Sequence, residues 1–501
     1  MLLEMAAEGA ADRTLVGPSE DGLTAAGLLK RARVAARRFA GLPGERVALI
    51  DVNSAAVPIT LFGAAMAGKP FVPLNYRLTD DRLRALVERT APAIVVAGPD
   101  ARQRVGEVDG IDWLDRDKLL AASSDTTDLG DLPSEIDPDA IALLLYTSGT
   151  TGDPKAAVLR HRNLTSYIFS TVEFAGAAET EAALVSVPPY HIAGVSAVLS
   201  SVYSGRRIVY VESFDPAGWV EQVLAERITH AMVVPTMLNR ILDVVEAGGH
   251  TLDTLRSISY GGGPMPVPVI ERALRLLPQA AFVNAYGLTE TSSTIALLGP
   301  EDHRAAFASD DPAVRQRLAS VGQPLPSVSV TIRDPEGRPV PAGEVGEIWV
   351  SGEQVSGGYL DRNDGVEPDW FRTRDAGHFD EAGYLYVHGR LDDVIVRGGE
   401  NLSPGEIEAV LLEHPAVAEA AVVGVPDQDW GEKVAAAVIL EEGQTVSEDE
   451  LRQFVRARLR STMTPEFVQF RDELPFNETG KLLRRVLRDE LAAVQGPAGT
   501  Q

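Results

Sequence analysis

Through the first third of the chain, short continuous apolar runs alternate with stretches whose apolar residues recur at helical spacing. Residues 47–50, 71–74 and 93–97 are the apolar runs, and bounded runs of this length read as buried or extended strands. Between them, residues 55–67 read as a helix. Residues 79–89 carry Leu83, Leu86 and Val87 on one helical face behind a candidate cap at Thr79. Strands that alternate with helices in this way predict parallel pairing through helical crossovers, and hence an α/β fold.

The pattern then breaks twice. Residues 123–139 are dominated by polar and acidic side chains and read as an exposed connection, and residues 141–145 follow as an apolar strand that feeds a glycine-rich loop. The second break comes at Gly389-Arg390-Leu391-Asp392-Asp393. Beyond it, Ser403, Pro404 and Glu406 suit the N-cap, N1 and N3 positions of a helix carrying Ile407, Val410 and Leu411. Residues 420–425 and 434–440 read as strands, and Ser447 with Glu450 forms another candidate capping box. The predicted organisation is a large N-terminal multi-sheet α/β domain over residues 1–390 and a small mobile C-terminal α/β domain over 391–501. Residues 496–501 are expected to be disordered.

Composition narrows the chemistry. At 501 residues the chain exceeds what one hydrophobic core usually serves, which agrees with two domains. The absence of cysteine excludes disulfides, thiolate metal sites and a cysteine nucleophile, so any thiol must come from another molecule. A formal net charge of −26 disfavours nucleic acid and anionic membrane surfaces as partners. No apolar run is long enough to suggest a membrane span, and Met1-Leu2-Leu3-Glu4 lacks the basic flank of a signal peptide, so a cytoplasmic protein is expected.

After the strand at 141–145 comes Tyr146-Thr147-Ser148-Gly149-Thr150-Thr151-Gly152-Asp153-Pro154-Lys155. Hydroxyls and free backbone N–H groups donate to phosphate oxygens, glycines let the backbone approach closely, and the lysine adds charge. By composition alone this is an ordinary surface loop, and it lacks Walker A spacing. The string itself is more specific. It resembles the phosphate loop of the adenylate-forming superfamily, which contains acyl-CoA synthetases, peptide-synthetase adenylation domains and luciferases. Further strings similar to that superfamily's motifs follow in order: Pro188-Pro189-Tyr190-His191, Tyr260-Gly261-Gly262-Gly263-Pro264, and Asn284-Ala285-Tyr286-Gly287-Leu288-Thr289-Glu290. After these come residues 343–347, Trp370-Phe371-Arg372-Thr373-Arg374-Asp375, residues 389–393, and Asn477-Glu478-Thr479-Gly480-Lys481. The resemblance covers nearly the whole chain.

The resemblance implies an acyl-CoA synthetase that uses ATP, Mg²⁺ and CoA through an acyl-AMP intermediate. It implies catalytic roles for Lys481, Glu290, Thr289 and His191, with Glu290 as the Mg²⁺ ligand. Thr147, Ser148, Gly149, Thr150, Thr151, Gly152 and Lys155 are then the phosphate-side residues. Gly261, Gly262, Gly263, Asn284, Ala285, Tyr286 and Gly287 fall on the adenine side. Asp375 would hold the ribose, Arg390 would either contact the ribose or pack against the large domain, Gly398 and Gly399 would line the thiol's entry, and Asp392 would be the hinge of the small domain. Without the resemblance, Glu290 is an ordinary solvated carboxylate, Tyr286 a core aromatic, His191 a packing residue, and Lys481 a basic neighbour of Arg484 and Arg485.

Two positions depart from the superfamily's pattern. Ala156 and Arg374 stand where glycine is usual. Arg374 is expected either to pair with Asp375 or to point into solvent, and a weakened adenylation step acting mainly on preformed acyl-adenylate is one alternative function. Loading of a carrier-protein thiol and a non-catalytic adenylate-binding sensor are the others. Residues around 191–196, 233–237, 260–265 and 285–293 are expected to form the acyl pocket. They are mostly small or apolar, with no obvious unpaired cation, and Ala285 replaces the arginine of malonate-activating relatives. A dicarboxylate is therefore not expected, whereas aliphatic, aromatic and polycyclic acids stay open. The expected partners are the small carboxylic acid and CoA, with a homodimer kept open.

Overall fold

The computed structural model describes residues 1–122, 135–147, 154–360, 370–398, 400–427, 429–476 and 482–494. Among them the strands form a nine-stranded, a seven-stranded, a four-stranded and a five-stranded sheet. In the seven-stranded sheet, Arg46–Ile50 lies between Phe71–Pro73 and Ala93–Ala97 and runs parallel to both. These are the apolar runs of the sequence, and each is buried along nearly its whole length. Their crossover helix, Ala56–Met66, is buried on most faces, which is why it carries no polar stripe.

The nine-stranded sheet contains Ala182–Val185, His230–Val233, Ser257–Gly261 and Ala281–Leu288 as parallel neighbours, and Ser293–Leu298 turns back antiparallel on the last. One continuous core joins the two large sheets. Leu28, Phe39, Ile94 and Leu143 share it with Val185, Val198 and Ile208. The four-stranded sheet is an antiparallel meander of Ser329–Arg333, Gly346–Ser351, Phe371–Phe379 and Leu385–Arg390. The five-stranded sheet draws every strand from Ile395 onward and covers its own core of Ile395, Ile407, Leu411, Val422, Val438 and Leu451. The chain is therefore a large multi-sheet α/β domain followed by a smaller α/β domain.

Two expected caps work differently. The helix Asp80–Thr90 starts after Thr79, but the Thr79 side chain makes no capping bond. Ser403 precedes the helix Pro404–Leu412, yet its hydroxyl donates to the carbonyl of His388 at 3.0 Å and so ties the small domain to the last strand of the large one. Tertiary contact has taken the hydroxyl that local pattern assigned to the helix. Ser447 does cap its helix, accepting from the Glu450 N–H at 3.2 Å. The segments 123–134 and 495–501, which contain most of the expected exposed connection and the expected disordered tail, lie outside the described residues.

Candidate active site

The strands Ile141–Thr147 and Lys155–Arg160 form an antiparallel hairpin in which Thr147 faces Lys155 and Tyr146 faces Ala156. The loop residues Ser148, Gly149, Thr150, Thr151 and Gly152 lie outside the described residues, but the hairpin fixes where the loop leaves and returns. Ala156 is buried within the ladder, and its carbonyl accepts the Leu360 N–H at 3.0 Å. Its extra methyl is accommodated by the sheet.

Gly358–Tyr359 adds to the other edge of Lys155–Arg160, with Tyr359 opposite Ala157. That register carries Tyr359 to the short helical turn Thr289–Thr291, where its hydroxyl donates to Glu290 Oε1. Lys155 Nζ lies 5.5 Å from the centroid of the same ring. Glu290 is buried and its carbonyl accepts the Ser356 N–H at 2.8 Å. Tyr359 is thus the buttress of Glu290, and no reading of the sequence named it. The only local signal was an aromatic residue after two glycines, which is common.

A second constellation crosses two sheets. Asp375 pairs in register with Arg390 on the neighbouring strand, and their side chains form an ion pair at 3.1 Å. Asp375 Oδ2 accepts the Tyr286 hydroxyl at 2.6 Å. Burial, followed by the Asp375 charge, holds the Tyr286 phenol well above its ordinary range, so it stays protonated and can donate to Asp375. For Arg390, burial favours the neutral form, but Asp375, Tyr286, Glu290 and Tyr359 outweigh it and raise its pKa. Arg390 Nη1 also donates to the Thr373 carbonyl at 2.6 Å.

Of the glycines expected on the adenine side, Gly261 and Gly287 are required by close backbone packing. A Cβ at Gly261 would meet the Ala285 carbonyl oxygen at 2.3 Å, and one at Gly287 would meet the Ser293 carbonyl oxygen at 1.7 Å. Gly261, Gly262, Ala285, Gly287 and Thr289 line the main cavity, whereas Gly263 does not. Asn284 points elsewhere. Its amide donates to the Ser320 carbonyl at 3.0 Å in the sheet interior.

That cavity, of about 1530 Å³, is lined by Thr147, Lys155, Glu290 and Arg390 on one side and by residues 482–486 of the small domain on another. Its remaining wall includes Val187, Ile192, Phe214, Met232 and Met237. His191 precedes the helix Ile192–Ser204 on this wall. Burial, and secondarily the charge of Arg77, lowers its pKa to about 4, so the ring is neutral at neutral pH. Its Nε2 and the Ser186 hydroxyl are buried at the cavity without a hydrogen-bond partner among the described residues.

The structure overturns the reading that no unpaired cation faces this region. Arg77, Arg82 and Arg240 line the cavity. Arg240 has no carboxylate partner among the described residues, and its guanidinium lies over Phe214, 5.5 Å from the ring centroid. Periodicity hid it, because an arginine on the helix Pro235–Gly248 reads as part of a solvated face.

Both expectations for Arg374 also fail. It neither pairs with Asp375 nor points free into solvent; its Nη2 meets Asp392 Oδ1 at 2.8 Å. Asp375 already has Tyr286 and Arg390. Gly398 is in the small domain, away from the cavity wall, with φ of +57° and its N–H bound to the Trp430 carbonyl at 2.8 Å. Gly399 and Lys481 lie outside the described residues. Arg484, beside Lys481 in sequence, is committed to a buried pair with Glu408 at 2.6 Å.

Among the described residues, no three His, Cys, Asp or Glu side chains cluster as an all-protein metal cage. A buried carboxylate with an adjacent threonine on a cavity wall fits instead a magnesium ion that takes most of its oxygens from phosphate and water.

Comparison with known proteins agrees with this geometry. The model of the AMP-binding enzyme family matches residues 3–360, and that of the AMP-binding enzyme C-terminal domain matches residues 406–481. The chain is 35% identical over 488 residues to a feruloyl-CoA synthase of Amycolatopsis sp, covering 95% of each chain. It is 35% identical over 497 residues to a 2-succinylbenzoate–CoA ligase of Bacillus licheniformis, covering 97% of this chain and 98% of the other. Among solved structures, o-succinylbenzoate CoA synthetase of Bacillus subtilis bound to its acyl-adenylate superposes with a TM-score of 0.83 at 30% identity, over 97% of this chain and 98% of that one. The same enzyme with ATP and magnesium gives 0.84.

Proposed function

The chain belongs to the AMP-binding enzyme family, and from that premise we propose that it joins a carboxylic acid to coenzyme A through an acyl-adenylate. The observation that carries this reading is the shared cavity. One space is bounded by the phosphate-loop hairpin, the Glu290 turn, Arg390, an apolar wall and the segment of the small domain that follows Lys481. A carboxylate, a nucleotide and a mobile cation can meet only where those walls converge.

In the first step a carboxylate oxygen attacks the α-phosphorus of ATP and pyrophosphate leaves. In the second the CoA sulfur attacks the acyl carbon and AMP leaves. Placement and charge stabilisation are the work left to the protein. The hydroxyls and N–H groups of residues 147–152, with Lys155, hold phosphate oxygens. Thr289 and Glu290 would hold a magnesium ion, which would neutralise phosphate charge, and Tyr359 orients the Glu290 carboxylate. Asp375, held by Tyr286 and Arg390 behind the cavity wall, is assigned to the ribose hydroxyls, and Tyr286, packed beside it, to the adenine side. Lys481 supplies the positive charge between the carboxylate and the α-phosphate.

For the acid, the apolar wall with Phe214 favours an aromatic ring, in keeping with the substrates named for the two curated relatives. Arg240 supports a second anionic or hydrogen-bond-accepting group on it. The malonate class stays disfavoured, because Ala285 supplies no cation beside Tyr286.

The test is incubation with ATP, Mg²⁺, CoA and a panel of acids, with pyrophosphate and thioester measured separately. Both products are expected for aromatic acids. Pyrophosphate without CoA thioester, together with loading of a carrier protein's phosphopantetheine, would replace this reading by the carrier one. Absence of acid-dependent pyrophosphate–ATP exchange, with thioester formed from synthetic acyl-adenylate, would favour a weakened first step. Lys481→Ala is expected to lower adenylation about 10²-fold or more while largely sparing thioester formation from acyl-adenylate. Equal loss of both would contradict its assigned role.

A further inference from the structure

Arg374 occupies an unfavourable backbone position. Its φ is +61°, in the left-handed region that glycine adopts freely and arginine does not. A side chain retained there has an interaction to offset the strain. Its own N–H donates to Glu347 Oε1 at 3.2 Å, which anchors the backbone, and its guanidinium reaches forward to Asp392 at 2.8 Å. Asp392 lies in the turn Leu391–Asp393, directly after the last strand of the large domain and before the first strand of the small one. The ion pair therefore joins a fixed strand to the connection on which the small domain is carried. In the pose seen here, residues 482–486 face the same cavity as Thr289 and Glu290, whereas Gly398 does not.

We propose that the Arg374–Asp392 pair is a clasp that holds the small domain in this adenylation-type pose, which makes Arg374 a positioning residue for the first half-reaction. The inference rests on the ligase reading and on Asp392 as the hinge. A hinge rotation about the N–Cα bond of Asp392 turns everything attached to its Cα, the carboxylate included, away from the strand that carries Arg374, and so opens the contact. Because both side chains are exposed, at 64% and 37%, the clasp is weak enough to open in every cycle. It biases the two poses by about twofold to fivefold, the range expected of such pairs.

The chain has no cysteine, so spin labels at Glu179→Cys and Glu442→Cys, both exposed positions, report the inter-domain distance without background. In the full-length protein at low salt, one dominant distance is expected. Asp392→Asn, and Arg374→Asn, which tolerates the left-handed backbone, should each raise the second population by about twofold to fivefold. The exchanged pair Arg374→Asp with Asp392→Arg should restore the original distribution, and about 1 M salt should move the unmutated protein toward the single variants. With substrates, the single variants should shift the ratio of thioester formation to pyrophosphate exchange in favour of the thioester. Identical distributions in the unmutated protein and single variants, or no restoration by the exchanged pair, would overturn the clasp. The distance measurement needs no substrate, so a protein that shows the clasp yet makes no thioester would refute the ligase reading alone.

Discussion

Two arginine–aspartate pairs stand side by side on the same two strands and their extension, yet they have different surroundings. Asp375 with Arg390 is 9% and 33% exposed and is braced by Tyr286 and the Thr373 carbonyl. Arg374 with Asp392 is 64% and 37% exposed and has no such brace among the described residues. The same chemical groups in a desolvated network make a fixed platform, because removing any member strands a charge in low dielectric. In water they make a contact that forms and breaks at little cost. On the proposed reading, the buried pair serves the nucleotide site and the exposed pair serves the turning domain, on adjacent residues.

The contrast can be broken most forcefully at Asp375. Asp375→Ala leaves Arg390 charged and poorly partnered and frees the Tyr286 hydroxyl. It is expected to destabilise the large domain by about 3 kcal/mol or more, read by chemical denaturation, and to abolish pyrophosphate exchange. A loss below about 1 kcal/mol, the surface-pair range, would erase the distinction. Tyr286→Phe keeps the ring and removes only the donor to Asp375, so about 1.5–3 kcal/mol is expected on the same measurement. Binding of ATP should weaken less than in Asp375→Ala, since the carboxylate and the aromatic face remain.

Smaller effects sharpen the other side. Tyr359→Phe also removes a hydroxyl from a carboxylate, so a cost of about 1.5 kcal/mol, the lower end of the range for charged partners, is expected, and pyrophosphate exchange should need more magnesium because the Glu290 carboxylate loses its orienting donor. Unchanged magnesium dependence would remove Tyr359 from the site. Least of all, Arg374→Gly should change stability by less than about 1 kcal/mol, since relief of the left-handed strain opposes loss of an exposed pair. A large loss of stability there would show that Arg374 is structural and not a releasable contact.

Much of this arrangement was legible in the chain. Residues 47–50, 71–74 and 93–97 became buried parallel strands because continuous apolar runs can be satisfied only with both faces covered. The glycines of 261 and 287 were visible as parts of ordered strings, and the structure supplies their reason in backbones too close for a Cβ. What escaped were contacts between distant segments. Tyr359 meets Glu290 across 69 positions, Arg374 meets Asp392 rather than its neighbour Asp375, and Arg240, which belongs to none of the motifs, forms part of a cavity wall. Ser403, cast as a helix cap, spends its hydroxyl on His388. None of these leaves a local signature, because the partner is chosen by strand register and helix packing.

By itself the sequence determined the α/β class and the smaller C-terminal unit, and its ordered motif strings pointed to the family, since periodicity, turn residues and motif strings are properties of neighbours along the chain. Only the tertiary structure decided which carboxylate each arginine meets, which aspartate is held rigid and which is left at the surface. Those outcomes depend on desolvation and on distances between residues far apart in the chain, and both exist only once the sheets have packed.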